Sequence, residues 1–197
     1  MPRSRMFDDD ALLDAAIELF WVHGYKSASL AALTAGTGIT NGSIYQAYGS
    51  KRELFLAAFR RYCERRVAIV SGVFETGHPD LEGTVNAYFD AIVDDCISYP
   101  DRRGCLMLNT ISELGTDAEV SAISTQTVDA MEGAVARALT DVAPRDTEPA
   151  AIVLCAAQIV ALSQALIQLS RMGRDADDLR RIGGQTAAST RSYLQSA

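Results

Sequence analysis

Apolar residues recur at helical spacing along most of the chain, and no long segment alternates between apolar and polar positions. Near the N-terminus Leu13, Ala16, Ile17, Phe20 and Trp21 fall on one face of a helix. A sheet with one solvated face needs strands that alternate with period two, and the sequence lacks such segments. The pattern therefore predicts an all-α fold.

Capping residues and helix breakers divide the apolar segments into about nine helices. Gly24 ends the first helix, Ser29 and Thr40 are N-cap residues for two short helices, and Ser50 begins a capping box. The predicted helices cover about 9–23, 29–36, 40–47, 50–74, 80–98, 105–114, 117–142, 148–172 and 176–194. The glycine pair 183–184 is expected to weaken the last of them.

One helical segment raises the possibility of a membrane span, because the 22 residues Pro149–Ser170 carry no charge. Glutamines interrupt the segment, and its longest purely apolar run is 150–157. A helix that is apolar nearly all round is more typical of a position between other helices or between subunits. We therefore expect a core or interface helix and no membrane partner.

Charge is divided unevenly along the chain, although the net charge of the whole is −7. Residues 1–66 contain nine Lys and Arg against seven Asp and Glu, a net charge of +2. Residues 67–197 contain nine against eighteen, a net charge of −9. This asymmetry favours a module that can approach phosphates, joined to an acidic module with another task.

The first ten residues contain no apolar core, so we expect no signal peptide and a cytoplasmic protein. Four cysteines lie far apart in the sequence, at Cys63, Cys96, Cys105 and Cys155. Reduced thiols are the default expectation for such a chain.

The most specific pattern is a pair of short capped helices joined by a tight turn at about 29–48, inside a three-helix unit. This arrangement is a helix-turn-helix. Ile39 and Ile44 are expected to point inward, while the second helix presents uncharged hydrogen-bonding residues that suit a major groove: Asn41, Gly42, Ser43, Tyr45, Gln46 and Tyr48. An ordinary helical hairpin with a polar face is the alternative.

The residues of this unit resemble the DNA-binding signature of the tetracycline-repressor (TetR) family. The similarity lies in the turn Gly38-Ile39-Thr40, the helix Gly42-Ser43-Ile44-Tyr45, and the aromatic-x-Ser-Lys-x-x-Leu motif that ends at Leu54. It implies a helix-turn-helix DNA-binding domain over 1–66 and a helical ligand-binding and dimerisation domain over 67–197. A homodimeric transcriptional regulator is implied, usually a repressor that a small molecule releases from a palindromic operator, with the dimer formed by the last two long helices.

The resemblance also implies which residues touch operator DNA. Base and nearby backbone contacts fall at Asn41, Gly42, Ser43, Tyr45 and Gln46, and phosphate contacts at Ser29, Thr40, Tyr45, Tyr48 and Lys51. Arg3 and Arg5 form a small basic arm that either reaches a minor groove or is a frayed terminus.

Candidates for an effector pocket are apolar and amide side chains on the fourth to eighth helices. They are Phe59, Tyr62, Phe89, Cys105, Met107, Asn109, Gln126, Met131 and Gln158. Such a lining favours a mostly apolar, weakly charged molecule. Core packing is the alternative role for each of these residues.

The segment Asp101–Asn109 resembles a Gly-Cys-Leu segment of one TetR subgroup, some of whose members respond to electrophiles or oxidants. Cys105 is predicted in the first turn of a helix and after Arg102 and Arg103, and both features stabilise a thiolate. Cys105 is therefore a redox candidate. The alternative is a small buried residue at a helix start.

Enzymatic and metal chemistry have little support in the sequence. The two histidines, His23 and His78, lie in separate regions, and no cysteine pair has metal-ligand spacing, so we expect no metal and no cofactor. Glu113 and Asp117 are a possible carboxylate pair, but charge near helix ends more often serves solvation and capping. Activation of transcription, ligand-independent regulation, or a helical binding or enzymatic protein with a vestigial helix-turn-helix remain alternatives.

Overall fold

A computed structural model describes residues 9–75 and 77–196, and all regular secondary structure within these ranges is helical. The helices are α1 (Asp9–Ser27), α2 (Leu30–Thr37), α3 (Asn41–Tyr48), α4 (Lys51–Phe74), α5 (Leu81–Ile97), α6 (Leu106–Leu114), α7 (Ala118–Val142), α8 (Pro149–Arg171) and α9 (Ala176–Leu194). The predicted all-α class is confirmed.

The predicted helix ends follow from local capping. Ser29 Oγ accepts a hydrogen bond from the N–H of Ala31, and Thr40 Oγ1 accepts one from the N–H of Ser43. Ser50 Oγ accepts the N–H of Glu53 at 3.1 Å, which is one half of the predicted capping box. These side chains satisfy amides that have no partner inside their own helices.

The chain forms two compact units. The first contains the described residues up to Arg65 together with Cys105–Ser124, and the second contains Arg66–Gly104 and the described residues from Thr125 onward. In the structure α6 and the start of α7 therefore group with the N-terminal helices. The domain division at residue 66 stays a prediction.

Aromatic packing dominates the core of the first unit. The rings of Phe20 and Phe55 meet edge to face with centroids 5.1 Å apart, and Phe59 stacks on Phe55 at 5.7 Å. Trp21 meets Tyr62 edge to face at 5.1 Å. Edge-to-face pairs of this kind add to the stabilisation from burial alone, so α1 and α4 are held firmly together.

Arg52, the second residue of α4, is paired with two carboxylates at the start of α7 in the same unit. Its guanidinium nitrogens lie 2.9 Å from Asp117 Oδ2 and 2.5 Å from Glu119 Oε2. Asp117 Oδ1 also accepts the N–H groups of Glu119 and Val120. Hydrogen bonds from Arg52, then those from the backbone, hold the pKa of Asp117 below its ordinary value.

This pairing predicts a pH-dependent contribution to stability. A carboxyl group whose pKa is lower in the folded chain stabilises the fold above its unfolded pKa, about 4, and loses this contribution as the pH falls through the folded pKa. Asp117→Asn keeps an oxygen for capping but loses the ion pair. We expect it to lower the free energy of unfolding at neutral pH, with a difference from the parent that shrinks below about pH 4. Urea unfolding at several pH values measures this, and a difference that stays constant down to about pH 3 contradicts it.

In the second unit α5 packs against α8 and α9. Tyr88 and Phe89 of α5 are both 1% exposed, and the hydroxyl of Tyr88 donates to Ser163 Oγ of α8 at 3.0 Å. The glycine pair 183–184 lies in an unbroken α9, and Gly183 lies directly against the Phe89 side chain. The glycine pair was expected only to weaken α9. In the structure Gly183 also lies at a close contact between α9 and α5, which the sequence did not indicate.

The uncharged helix α8 has two different faces. Ile159, Val160 and Leu166 are fully buried, whereas Val153 and Leu154 are 61% and 49% exposed. By length and composition α8 is the one described helix that could cross a membrane. Its buried face against α5 and α9 instead fits a core helix with a second apolar face left exposed.

Candidate nucleic-acid interface

The second helix of the helix-turn-helix, α3, is fixed to the first unit by a single apolar anchor. Ile44 is fully buried, and Leu30 and Leu33 of α2 are buried with it in the same unit. Ile39, predicted to point inward with Ile44, is half-buried in the turn. The other residues of α3 are exposed or half-buried.

The outward face of α3 carries hydrogen-bonding residues without charge. Asn41, Gly42, Tyr45 and Gln46 are exposed, and Tyr45 has 51% of its surface in contact with solvent. This face displays amide and hydroxyl groups that can pair with base edges.

Half-buried and capping hydroxyls border this face. Ser43 and Tyr48 are half-buried, and the Thr40 and Ser43 hydroxyls lie 3.0 Å apart. Ser29 and Thr40 use an oxygen lone pair to cap their helices. An N-cap hydroxyl that accepts an amide proton keeps its own proton available for an acceptor such as a phosphate oxygen.

Lys51, at the start of α4, is ordered by the end of α1. Its Nζ donates to the carbonyl oxygen of Lys26 at 3.4 Å and lies 4.8 Å from the centre of the Tyr25 ring. The face of an aromatic ring attracts a cation but does not neutralise its charge. The ammonium group is therefore fixed beside the first turn of α4, whose amides also favour an anion.

Asn41 is tied back to α2 by Thr34. Thr34 Oγ1 lies 2.9 Å from Asn41 Oδ1 and also 2.9 Å from the carbonyl oxygen of Leu30. Since a hydroxyl has one proton, the partner that receives it decides which end of the Asn41 amide faces Thr34 and which faces outward. Thr34 thus selects whether Asn41 presents a donor or an acceptor.

This contact predicts a change in sequence preference without a large loss of affinity. Thr34→Val removes the hydroxyl, so we expect relaxed base preference at one position in each half-site and less than about a tenfold loss in affinity. The same position should respond to Asn41→Ala. Thr140→Val is the control, because Thr140 makes the same type of bond to a preceding carbonyl in α7. A Thr34→Val site preference identical to that of the parent would show that Thr34 does not orient Asn41 for base recognition.

Comparisons with known proteins agree with this geometry. Residues 12–58 match the family model for bacterial regulatory proteins of the tetR family. The transcriptional repressor ComR of Escherichia coli is 35% identical over 59% of this chain and 55% of its own length. The regulator YezE of Bacillus subtilis is 32% identical over 61% of this chain and 62% of its own length. The chain therefore spans a little over half the length of these relatives.

A solved structure extends the similarity over nearly the whole chain. A cysteine mutant of the TetR-family regulator CifR, complexed with a 26-base-pair double-strand operator DNA, is 27% identical with a TM-score of 0.74. The match covers 95% of this chain and 99% of that one. The chain is thus similar to TetR-family regulators in the segment 12–58 and in its fold. The relatives named here are transcriptional regulators.

The residues predicted to line an effector pocket are divided between the two units. Phe59, Tyr62, Cys105, Met107 and Asn109 lie in the first unit, and Phe89, Gln126, Met131 and Gln158 lie in the second. Asn109 is half-buried and the two glutamines are exposed, whereas the other six are buried. Their ligand role stays a prediction, and the exposed amides gain no support from their position.

Cys105 occupies the N-cap position of α6 without a capping hydrogen bond from its side chain, and it contacts a tyrosine of α4. The Tyr62 hydroxyl donates to Cys105 Sγ at 3.4 Å and accepts the N–H of Leu106 at 3.2 Å. The thiol is 7% exposed. This N-cap position is one residue before the first turn of α6, in which Cys105 was predicted to lie.

Arg103, two residues before Cys105, has partners of its own in the second unit. Arg103 forms an ion pair with Asp101 at 2.9 Å and lies over the Tyr99 ring. Arg103 is thus paired with a carboxylate two residues away, and its support of a thiolate at Cys105 stays a prediction. By contrast, burial raises the pKa of the Cys155 thiol, which favours an inert side chain there.

The predicted pocket residues omit a buried polar pair in the second unit. Arg66 is 7% exposed and forms an ion pair with Asp95 at 2.9 Å. Burial raises the pKa of Tyr88, which is bonded to Ser163, to about 12. Apart from charge or polarity at helical core positions, nothing in the sequence indicated these residues. Among the residues that the structure describes, no group of three or more His, Cys, Asp or Glu is arranged to hold a metal ion.

The predicted basic arm, Arg3 and Arg5, lies outside the described residues. Their predicted minor-groove contact stays a prediction.

Proposed function

We propose that this protein is a TetR-family regulator that binds a near-palindromic operator as a homodimer and represses transcription until a small, mostly apolar molecule or thiol modification releases it. The exposed, uncharged, hydrogen-bonding face of α3 carries the proposal. We expect the protein to be cytoplasmic, because its proposed partner is DNA. The operator-bound relative CifR supports the choice of duplex DNA.

The α3 face and its flanks divide the work of DNA binding. Asn41, Tyr45 and Gln46 are exposed and offer amide and hydroxyl groups to base edges. Lys51 and the capping hydroxyls of Ser29 and Thr40 border the same face and suit phosphates. Phosphate contacts supply most of the affinity, so binding should weaken steeply with salt.

The exposed apolar face of α8 supports a dimer formed through the C-terminal helices. Val153, Leu154 and Met172 are large, apolar and 49% to 76% exposed. Large exposed apolar side chains on an uncharged helix are unfavourable in water and are typical of a subunit interface. Two-fold symmetry places two recognition helices on DNA in opposite orientation, which requires a palindromic site.

Release by thiol modification would act through the link between α4 and α6. The Tyr62 hydroxyl joins Cys105 Sγ to the first amide of α6. Hydrogen peroxide would convert the thiol to a sulfenic acid and water, which adds an oxygen where the hydroxyl now donates. A buried site has no room for this atom without displacement of α6 or α4, whereas a non-covalent effector would act without any change at Cys105.

Operator release distinguishes the two routes. The full chain is bound to its selected duplex and then treated with hydrogen peroxide, followed by dithiothreitol. Release that reductant reverses and Cys105→Ser abolishes supports the thiol route. Retained binding assigns release to a non-covalent molecule. Sedimentation analysis in parallel tests the dimer, and a monomer that binds DNA with full affinity contradicts it.

A further inference from the structure

A carboxylate outside the helix-turn-helix closes the end of α1 in the first unit. Glu113, in the last turn of α6, accepts the N–H of Tyr25 on Oε2 at 2.9 Å and the N–H of Lys26 on Oε1 at 2.8 Å. Both oxygens of one side chain are thus used on two consecutive backbone amides. Hydrogen bonds of this charge-assisted kind are among the stronger ones in proteins.

Gly24 makes this contact possible in two ways. Its φ of 72° breaks the helical path, so the amides that follow turn away from α1 toward another acceptor. A Cβ at this position would also lie 2.9 Å from Glu113 Oε2. Gly24 and Glu113 therefore form a matched pair, although 89 positions separate them in sequence.

The two residues that Glu113 fixes are the same two that orient Lys51. Lys51 Nζ donates to the carbonyl oxygen of Lys26 and lies over the ring of Tyr25. If the turn at Tyr25 and Lys26 loosens, the carbonyl oxygen and the ring that hold the ammonium group loosen with it. A chain of contacts therefore runs from α6 to the first turn of α4.

We propose that Glu113 is a positioning residue for DNA binding, which orders the turn at Tyr25 and Lys26 and thereby fixes Lys51 for a phosphate. This inference rests on the proposed role of Lys51. In this proposal Glu113 acts through the turn that it orders, and it makes no contact with DNA itself.

The test is a double-mutant cycle on the full chain. Glu113→Gln keeps the size of the side chain but replaces one acceptor oxygen with a donor that faces an amide. We expect about a tenfold loss in affinity for a random-sequence duplex and a salt dependence reduced by about one phosphate per subunit. In a Lys51→Ala background the same substitution should have no further effect on affinity.

Controls separate positioning from general damage to the fold. Glu64→Gln removes the same charge from an exposed position of α4 in the same unit and should leave affinity and salt dependence unchanged. Thermal unfolding of each variant shows whether the chain is folded. Were Glu113→Gln itself unfolded, Glu113→Asp, which keeps the charge on a shorter side chain, would take its place in the cycle with an intermediate loss expected.

The outcomes also separate this inference from the proposed function. A parent protein that binds no duplex overturns both. Full affinity in Lys51→Ala removes the phosphate contact and the positioning role with it. If Lys51→Ala weakens binding but Glu113→Gln does not, or if the two losses simply add, only the role of Glu113 is overturned.

Discussion

The double variant Tyr45→Ala, Lys51→Ala is expected to lose DNA binding on every sequence. Tyr45 stands 51% exposed on the α3 face, and Lys51 is held at the first turn of α4 by Tyr25 and Lys26. We propose that each contacts a phosphate, and a hydrogen bond to a charged group contributes about 1.5 kcal/mol or more. Two lost contacts in one subunit therefore weaken binding about a hundredfold, and a dimer loses them twice.

Fluorescence anisotropy with labelled duplexes measures this loss across a series of salt concentrations. Arg145→Ala is the control, because it removes a positive charge from an exposed loop of the second unit. We expect that control to retain nearly full affinity. Equal losses in the control and in the double variant would mean that net charge, and not the α3 face, governs binding.

Gly183→Ala is expected to destabilise the second unit, although alanine is the better helix former. A Cβ at this position would lie 2.8 Å from Cβ and 2.9 Å from Cγ of Phe89, which is itself 1% exposed in α5. The gain in helix propensity is about 1 kcal/mol, whereas forced overpacking costs about 1–3 kcal/mol and more when the neighbour cannot move. We expect a net loss of about 1–2 kcal/mol in the free energy of unfolding.

The adjacent glycine provides a matched control for this effect. The nearest atom to a Cβ at Gly184 is Asn86 Oδ1 at 3.8 Å, which is ordinary contact. Gly184→Ala should therefore stabilise the protein by about 0.5–1 kcal/mol. Urea unfolding of the two variants decides the question, and stabilisation by both would show that α5 and α9 do not approach as closely as described.

The sequence predicted the helices well because their ends depend on residues close in the chain. Ser29, Thr40 and Ser50 cap the helices that they precede, and each forms the expected bond to an amide two or three residues on. Gly24 interrupts the first helix where predicted. Hydrogen bonds of this range can be inferred from type and spacing alone.

Features that depend on distant parts of the chain could not be predicted in this way. Glu113 was assigned to solvation and capping, which is right in kind, but the amides that it caps lie 87 and 88 residues earlier. Gly183 indicated only a weak helix, because its neighbour Phe89 belongs to α5. Gln126 and Gln158 were proposed for a pocket by residue type, and both lie on the surface.

Selection of binding sites from random duplex DNA by the purified full chain tests the central claim most directly. The account predicts enrichment of one near-palindromic sequence, weakened by salt and lost in the Tyr45→Ala, Lys51→Ala variant. The failure of any sequence to rise above the starting pool would contradict a sequence-specific regulator. Enrichment of a site without two-fold symmetry would contradict the homodimer.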